Sequence, residues 1–274
     1  MTACGPVSTP GSQDKLPPPF VAVTGAVSPS LLPPTLTPTP LPTLPPQPTA
    51  SPFPLPTANS LMVSCSQRKP AADDLLTVVT STYGLSSTYA PRDLVRLNKY
   101  LSDSVVCVDT LQARVVMAKP LARMINAMKA DGLHPIIRSA YRSYAAQAAA
   151  RQKWEQQDAD RAVLISALPG HSEHQLGLAL DFGSPELAAI VGDATIEFHT
   201  DFDQTSEGIW LVNHAREYGF SMSYPLYAYA LTGLAYEPWH YRYVGIELAT
   251  YLHDADQFLT KFLLKARAVA PCAP

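Results

Sequence analysis

Two short stretches of this sequence carry side chains that could do chemistry together. "PGHSEHQLGLALDFG", residues 169–183, sets His174 seven positions before Asp181, and "YEPWH", residues 236–240, sets Glu237 three positions before His240. A carboxylate inside an apolar alternation is costly to bury unless its charge is compensated, and a divalent cation compensates it. A hydrolytic zinc centre uses three protein ligands, an open position for water, and a carboxylate that takes the water's proton. His174, Asp181 and His240 offer two nitrogens and one oxygen, with Glu237 as the base. Pro238 disfavours a continuing helix, so a turn must bring Glu237 to the metal that His240 binds. Spacing alone leaves a second reading open, in which Asp181 ends a strand and Glu237 and His240 are solvated.

The other five histidines lack such company. His214 and His253 fall inside expected helices, His134 precedes a proline at a strand entry, and His199 lies in the polar "EFHTDFDQ". His171 is expected to cap a turn, with a place in the pocket as the alternative. The cysteines Cys4, Cys65, Cys107 and Cys272 form no CxxC or other zinc spacing. Cys65 and Cys272 bracket the folded part and are a candidate pair. Cys107 in "SVVCVDT" reads as a small buried hydrophobe.

Strands and helices must hold these residues. "RDLVRLNKYLSD" and "ARVVMAKPLARMINAMKADG" space apolar residues by three and four and read as helices, the second closing at Gly132. "HPIIRSAYRS", "LGLALDFG", "FSMSYP" and "WHYRYVG" read as strands. "YAAQAAARQKWEQQDADRA" reads as one Ala-rich helix, "SEGIWLVNHAREYG" as another ending at Gly219, and residues 245–268 as a long terminal helix. Residues 183–208 are expected to form a loop beside the cleft. This mixture predicts an α+β domain over 74–274: a small antiparallel sheet carrying the zinc cleft, flanked by helices.

The first 73 residues are different material. Seventeen of the 27 prolines precede residue 60, and a segment that lacks backbone donors and bulky apolar groups cannot pack a core. We expect a disordered, extended spacer over 1–73 that holds the domain away from an anchor. "MTACG" resembles the end of a bacterial lipoprotein signal with Cys4 lipidated. The three residues before Cys4 are too few for the apolar segment of such a signal, so the start is expected to lie further upstream. The net charge of −3 and the lack of a basic block argue against a nucleic-acid partner.

"SAYRSYAAQ", "PGHSEHQLGLALDFG", "WLVNHAREYGFSMSYP" and "YEPWHYRYVG" resemble, in order and spacing, the zinc D-alanyl-D-alanine carboxypeptidases of the VanY type. These share a fold group with D-Ala-D-Ala dipeptidases and with hedgehog and lysostaphin domains. The likeness runs over about residues 92–245. The family pattern SxHxxGxAxD is intact from Ser172 to Asp181, and ExxH is intact from Glu237 to His240.

The resemblance implies one Zn2+ bound by His174, Asp181 and His240, with Glu237 as general base. It implies that Arg142 and Gln147 recognise the substrate, Arg142 also serving the reaction by stabilising an oxyanion. Arginine's planar fork suits both a terminal carboxylate and an oxyanion. Arg138 is the competitor for that role. Ser172 belongs on the substrate side as a hydrogen-bonding support rather than a nucleophile, and Tyr236 and Trp239 are candidate walls. The implied function is removal of terminal D-alanine from peptidoglycan stem peptides by an extracytoplasmic, monomeric enzyme. The alternatives are an L,D-carboxypeptidase, a dipeptidase, an endopeptidase, or a zinc-containing cell-wall module without catalysis.

Overall fold

The computed structural model describes residues 74–102, 104–106 and 110–269. The expectations for the spacer, the lipidated Cys4 and the pairing of Cys65, Cys107 and Cys272 lie outside these residues. The central sheet has four antiparallel strands: β3 (Ile136–Ser139), β4 (Ala179–Gly183), β5 (Phe220–Met222) and β6 (His240–Tyr243), in the order β3-β4-β6-β5. A separate hairpin pairs β1 (Leu94–Arg96) with β2 (Gln112–Arg114). The helices are α1 (Val115–Ala130), α2 (Tyr144–Gln157), α3 (Ala159–Ile165), α4 (Leu187–Val191), α5 (Ser206–His214), α6 (Tyr229–Thr232), α7 (Ile246–Asp254) and α8 (Leu259–Val269). The architecture is the α+β arrangement that the sequence implies. Among the described residues no helix is long and apolar enough to cross a membrane.

β4 is buried at every position, and its alternation sorts the two faces. Leu180 and Phe182 enter the main core with Ile137 and Tyr241, joined by Met117, Leu121, Met124 and Met128 from α1. Asp181 therefore points to the opposite face. The main core also takes in Leu176 and Leu178, so the chain just before β4 is anchored in it. A smaller core joins Val78 to Val244, Leu252, Leu259 and Leu263, tying the start of the described chain to its last two helices.

Four expectations need correction. "RDLVRLNKYLSD" is not a helix: it holds β1 and one 3-10 turn, because Leu94 to Arg96 pair with β2 and Asp93 binds Arg114 at 2.9 Å. The helix expected over 144–162 breaks at Asp158, whose side chain accepts from the Arg161 N–H and starts α3. This is the competition with the backbone that a short carboxylate side chain offers. The terminal helix is two, α7 and α8, separated by a turn in which Asp256 has φ 48. Residues 183–208 are not all loop, since they contain α4 and a 3-10 turn, Thr200–Gln204. The segment ending at Gly219 is helical as expected, although its last turn, Ala215–Tyr218, tightens to 3-10.

Candidate active site

The sheet register brings the two sequence stretches together. Asp181 on β4 is the direct partner of Ser139 on β3 and of His240 on β6. His174 arrives from the 3-10 turn Glu173–Leu176, which Ser172 caps by accepting from the His174 N–H. Gly177 ends that turn at φ 67, where a β-carbon would lie 3.0 Å from the side chains of Arg114 and Leu94. The Arg142 N–H donates to the His174 carbonyl at 3.2 Å, joining the turn to the end of β3.

His174, Asp181 and His240 are buried, and each offers one ligand atom within 4.8 Å of the others. Asp181 Oδ2 lies 3.0 Å from His174 Nε2, and Oδ1 lies 2.9 Å from His240 Nδ1. The far nitrogens are committed elsewhere. His174 Nδ1 donates to the Ala140 carbonyl at 2.7 Å, and His240 Nε2 lies 3.2 Å from Glu173 Oε2. With the far nitrogens bonded in this way, His174 Nε2 and His240 Nδ1 are the ring nitrogens that face the common point, the outer arrangement that metal-binding histidines use. Two imidazoles and a carboxylate are a donor set suited to zinc. The residues fit the ion.

Glu237 sits at the same point, its Oε2 3.8 Å from His240 Nδ1. Its N–H donates to the Tyr224 carbonyl, and its own carbonyl accepts from the His240 N–H, so the turn through Pro238 and Trp239 is fixed at both ends. Burial raises the Glu237 carboxyl to about 8, the nearby Asp181 adding to the rise and His240 opposing it. Burial disfavours charge on His240, but hydrogen bonds to Asp181 and Glu173 outweigh it and raise the imidazole to about 10. Burial also lowers His174. Asp181 is held far below the usual carboxylate range: burial opposes this, and the two histidines outweigh it.

Arg142 lies across the site, Nη2 at 3.7 Å from Asp181 Oδ2. It donates to Gln147 Oε1 at 2.8 Å and to Ser139 Oγ at 2.9 Å. Gln147 is buried, with its amide nitrogen donating to the Ala167 carbonyl at 2.7 Å, so it stands behind Arg142. Arg138 falls at an irregularity in the β3–β4 register and lies 3.7 Å from Glu197, away from the convergence. His171 Nδ1 donates to the Thr80 carbonyl, His199 caps its 3-10 turn, and His214 lies 3.0 Å from Glu217. Trp239 packs against Phe198, and the Tyr236 hydroxyl donates to Asp203.

Three residues here escaped the sequence reading. Glu173 and Arg242 form a buried pair at 2.8 Å behind His240, and the Tyr224 ring lies 4.6 Å from the His240 ring. Strand alternation is the signal that points to Arg242, which shares a face with His240 two residues earlier.

Fold and donor set together define a single-zinc metallopeptidase. The family model for VanY, D-alanyl-D-alanine carboxypeptidase, matches residues 110–246, and the chain belongs to that family. It is 32% identical over 201 residues to YodJ of Bacillus subtilis (strain 168), which bears a carboxypeptidase name, covering 72% of this chain and 70% of that one. Among solved structures, the LD-carboxypeptidase LdcB superposes with a TM-score of 0.60 at 32% identity, covering 71% of this chain and 87% of the other. A variant of the vancomycin-resistance D,D-pentapeptidase VanY in complex with Zn(II) superposes with a TM-score of 0.54 at 28% identity, covering 69% and 98%. The protein is a zinc carboxypeptidase.

Proposed function

We propose that the protein removes a terminal D-alanine from peptidoglycan stem peptides at a zinc held by His174, Asp181 and His240. The convergence of these three buried side chains, with Glu237 and Arg142 on its border, is the observation that supports the reading most. Zinc in such a site acts as a Lewis acid and brings the pKa of a water molecule to about 7. Glu237 takes the proton of the attacking water and delivers it to the departing amine. Arg142 binds the carboxylate of the terminal residue or the developing oxyanion, and two hydrogen bonds fix its plane for either task. Gln147 holds Arg142, and Ser172 holds the turn that carries His174.

Residues 74–274 form the catalytic unit on this reading. Residues 1–73 serve as a spacer outside the membrane, with a lipid on Cys4 as its anchor and a monomer as the working form. The proline-rich composition supports the spacer, and the likeness of "MTACG" to the end of a lipoprotein signal supports the anchor.

Penta-, tetra- and tripeptide stems incubated with the protein and weighed by mass spectrometry test the activity. Loss of one D-alanine from the pentapeptide, abolished by a chelator and restored by zinc, is expected. Release of D-Ala-D-Ala, cleavage of the tetrapeptide alone, or activity indifferent to chelation would replace the reading.

A further inference from the structure

We propose that Glu173, backed by Arg242, is a positioning residue that dictates which nitrogen His240 presents to the zinc, and that residues 74–89 belong to the same support. The proposal rests on the reading of His240 as a ligand. An imidazole can offer a metal either nitrogen, and the hydrogen bond made by one decides the role of the other. Glu173 Oε2 lies 3.2 Å from His240 Nε2, on the side away from Asp181. When the neutral imidazole donates its Nε2–H in a hydrogen bond to Glu173, the lone pair is on Nδ1, and that atom faces Asp181 and Glu237.

Glu173 cannot turn away, because its second oxygen accepts from Arg242 Nη1 at 2.8 Å. Arg242 is fully buried and donates through Nη2 to the carbonyls of Leu75 and Thr77, both at 2.7 Å. A buried ion pair is weak evidence for stability, whereas this one forms a continuous line from main chain to ligand. Other bonds follow the same course. The Thr80 carbonyl accepts from His171, the Ser86 and Tyr89 carbonyls accept from Gln175, and the Leu85 N–H donates to the Gly170 carbonyl. Residues 74–89 thus strap the turn that carries His174, although the family match begins only at residue 110.

The test compares the full chain with Glu173→Gln, measuring zinc affinity by competition with a chromophoric chelator and the visible spectrum after cobalt(II) substitution. Glu173→Gln is expected to weaken zinc binding about ten- to hundredfold and to shift the cobalt bands. Zinc loading should slow amide exchange at Thr80, Ser81 and Leu85 in the parent and do so less in the variant. Should the glutamine variant fail to fold, Glu173→Asp keeps the charge but shortens the reach, and the same losses are expected. Parent-like affinity and cobalt spectrum in a folded variant would overturn the proposal. If His240→Ala instead retains the parent's zinc affinity, the ligand assignment itself fails and takes this inference with it.

Discussion

Arg142 and Gln147 are joined by a 2.8 Å hydrogen bond across the turn where β3 gives way to α2. Gln147 spends its amide nitrogen on the Ala167 carbonyl, so its oxygen is fixed and Arg142 must come to it. Ser139 takes a second donor of the same guanidinium at 2.9 Å. The fork is thereby held in one plane, with Nη2 also 3.7 Å from Asp181. An arginine set in this way is ready for an anion before any substrate arrives.

Replacing Arg142 by lysine keeps the charge and loses the plane. A drop in kcat/KM of about 10²–10³ is expected, the scale of losing one preorganised oxyanion donor. Gln147→Ala should lose less in the same direction, since Arg142 keeps its bond to Ser139. Steady-state release of D-alanine, with zinc content measured alongside, checks both.

Glu237→Gln preserves shape and removes the proposed base. Turnover is expected to fall about 10²–10⁴-fold, while one zinc per chain remains bound, because the three donors stay in place. Metal analysis of the purified variant separates this from a lost site.

Without zinc, the folded chain holds protons that the unfolded chain gives up. His240 is raised from 6.5 to about 10, and Glu237 from 4.5 to about 8. Both contributions favour the fold at low pH and are lost as pH rises through those values. His174 is lowered and acts in the opposite sense, but only around and below its ordinary value of 6.5. The melting temperature of the chelated protein is therefore expected to fall between pH 7 and about 10. Zinc bound at His240 displaces that imidazole's proton, so its affinity should rise over that window. Thermal melts with chelator and with zinc, at several pH values, read both trends.

Gly177→Ala places a β-carbon at φ 67 and 3.0 Å from Arg114 Cγ and Leu94 Cδ2. The left-handed conformation alone costs about 1–2 kcal/mol for a side chain, and the contacts add to it. A lower melting temperature and weaker zinc binding are expected together, because Gly177 ends the turn that carries His174.

The convergence of His174, Asp181, His240 and Glu237 was legible because their spacing is unusual and because a carboxylate in an apolar strand asks for a partner. Asp181 shows this most clearly: its sequence context predicts both burial and compensation, and the fold supplies both. β1 was hidden because Leu97 and Leu101, four apart and both buried, imitate a helical face, while the pairing of Leu94 with Arg114 is a tertiary fact. Asp158 was hidden inside a run of helix formers whose propensity outvotes one capping side chain. Glu173 and Arg242 lie 69 residues apart, and only the folded sheet makes them neighbours.

Asp181 and His240 face each other across β4 and β6 by strand register. A slip of one residue would send every side chain of either strand to the other face. A chain that has paired its sheet wrongly thus has no place to load its ion. Loading of an ion by this trio would therefore report that the two strands have paired in register.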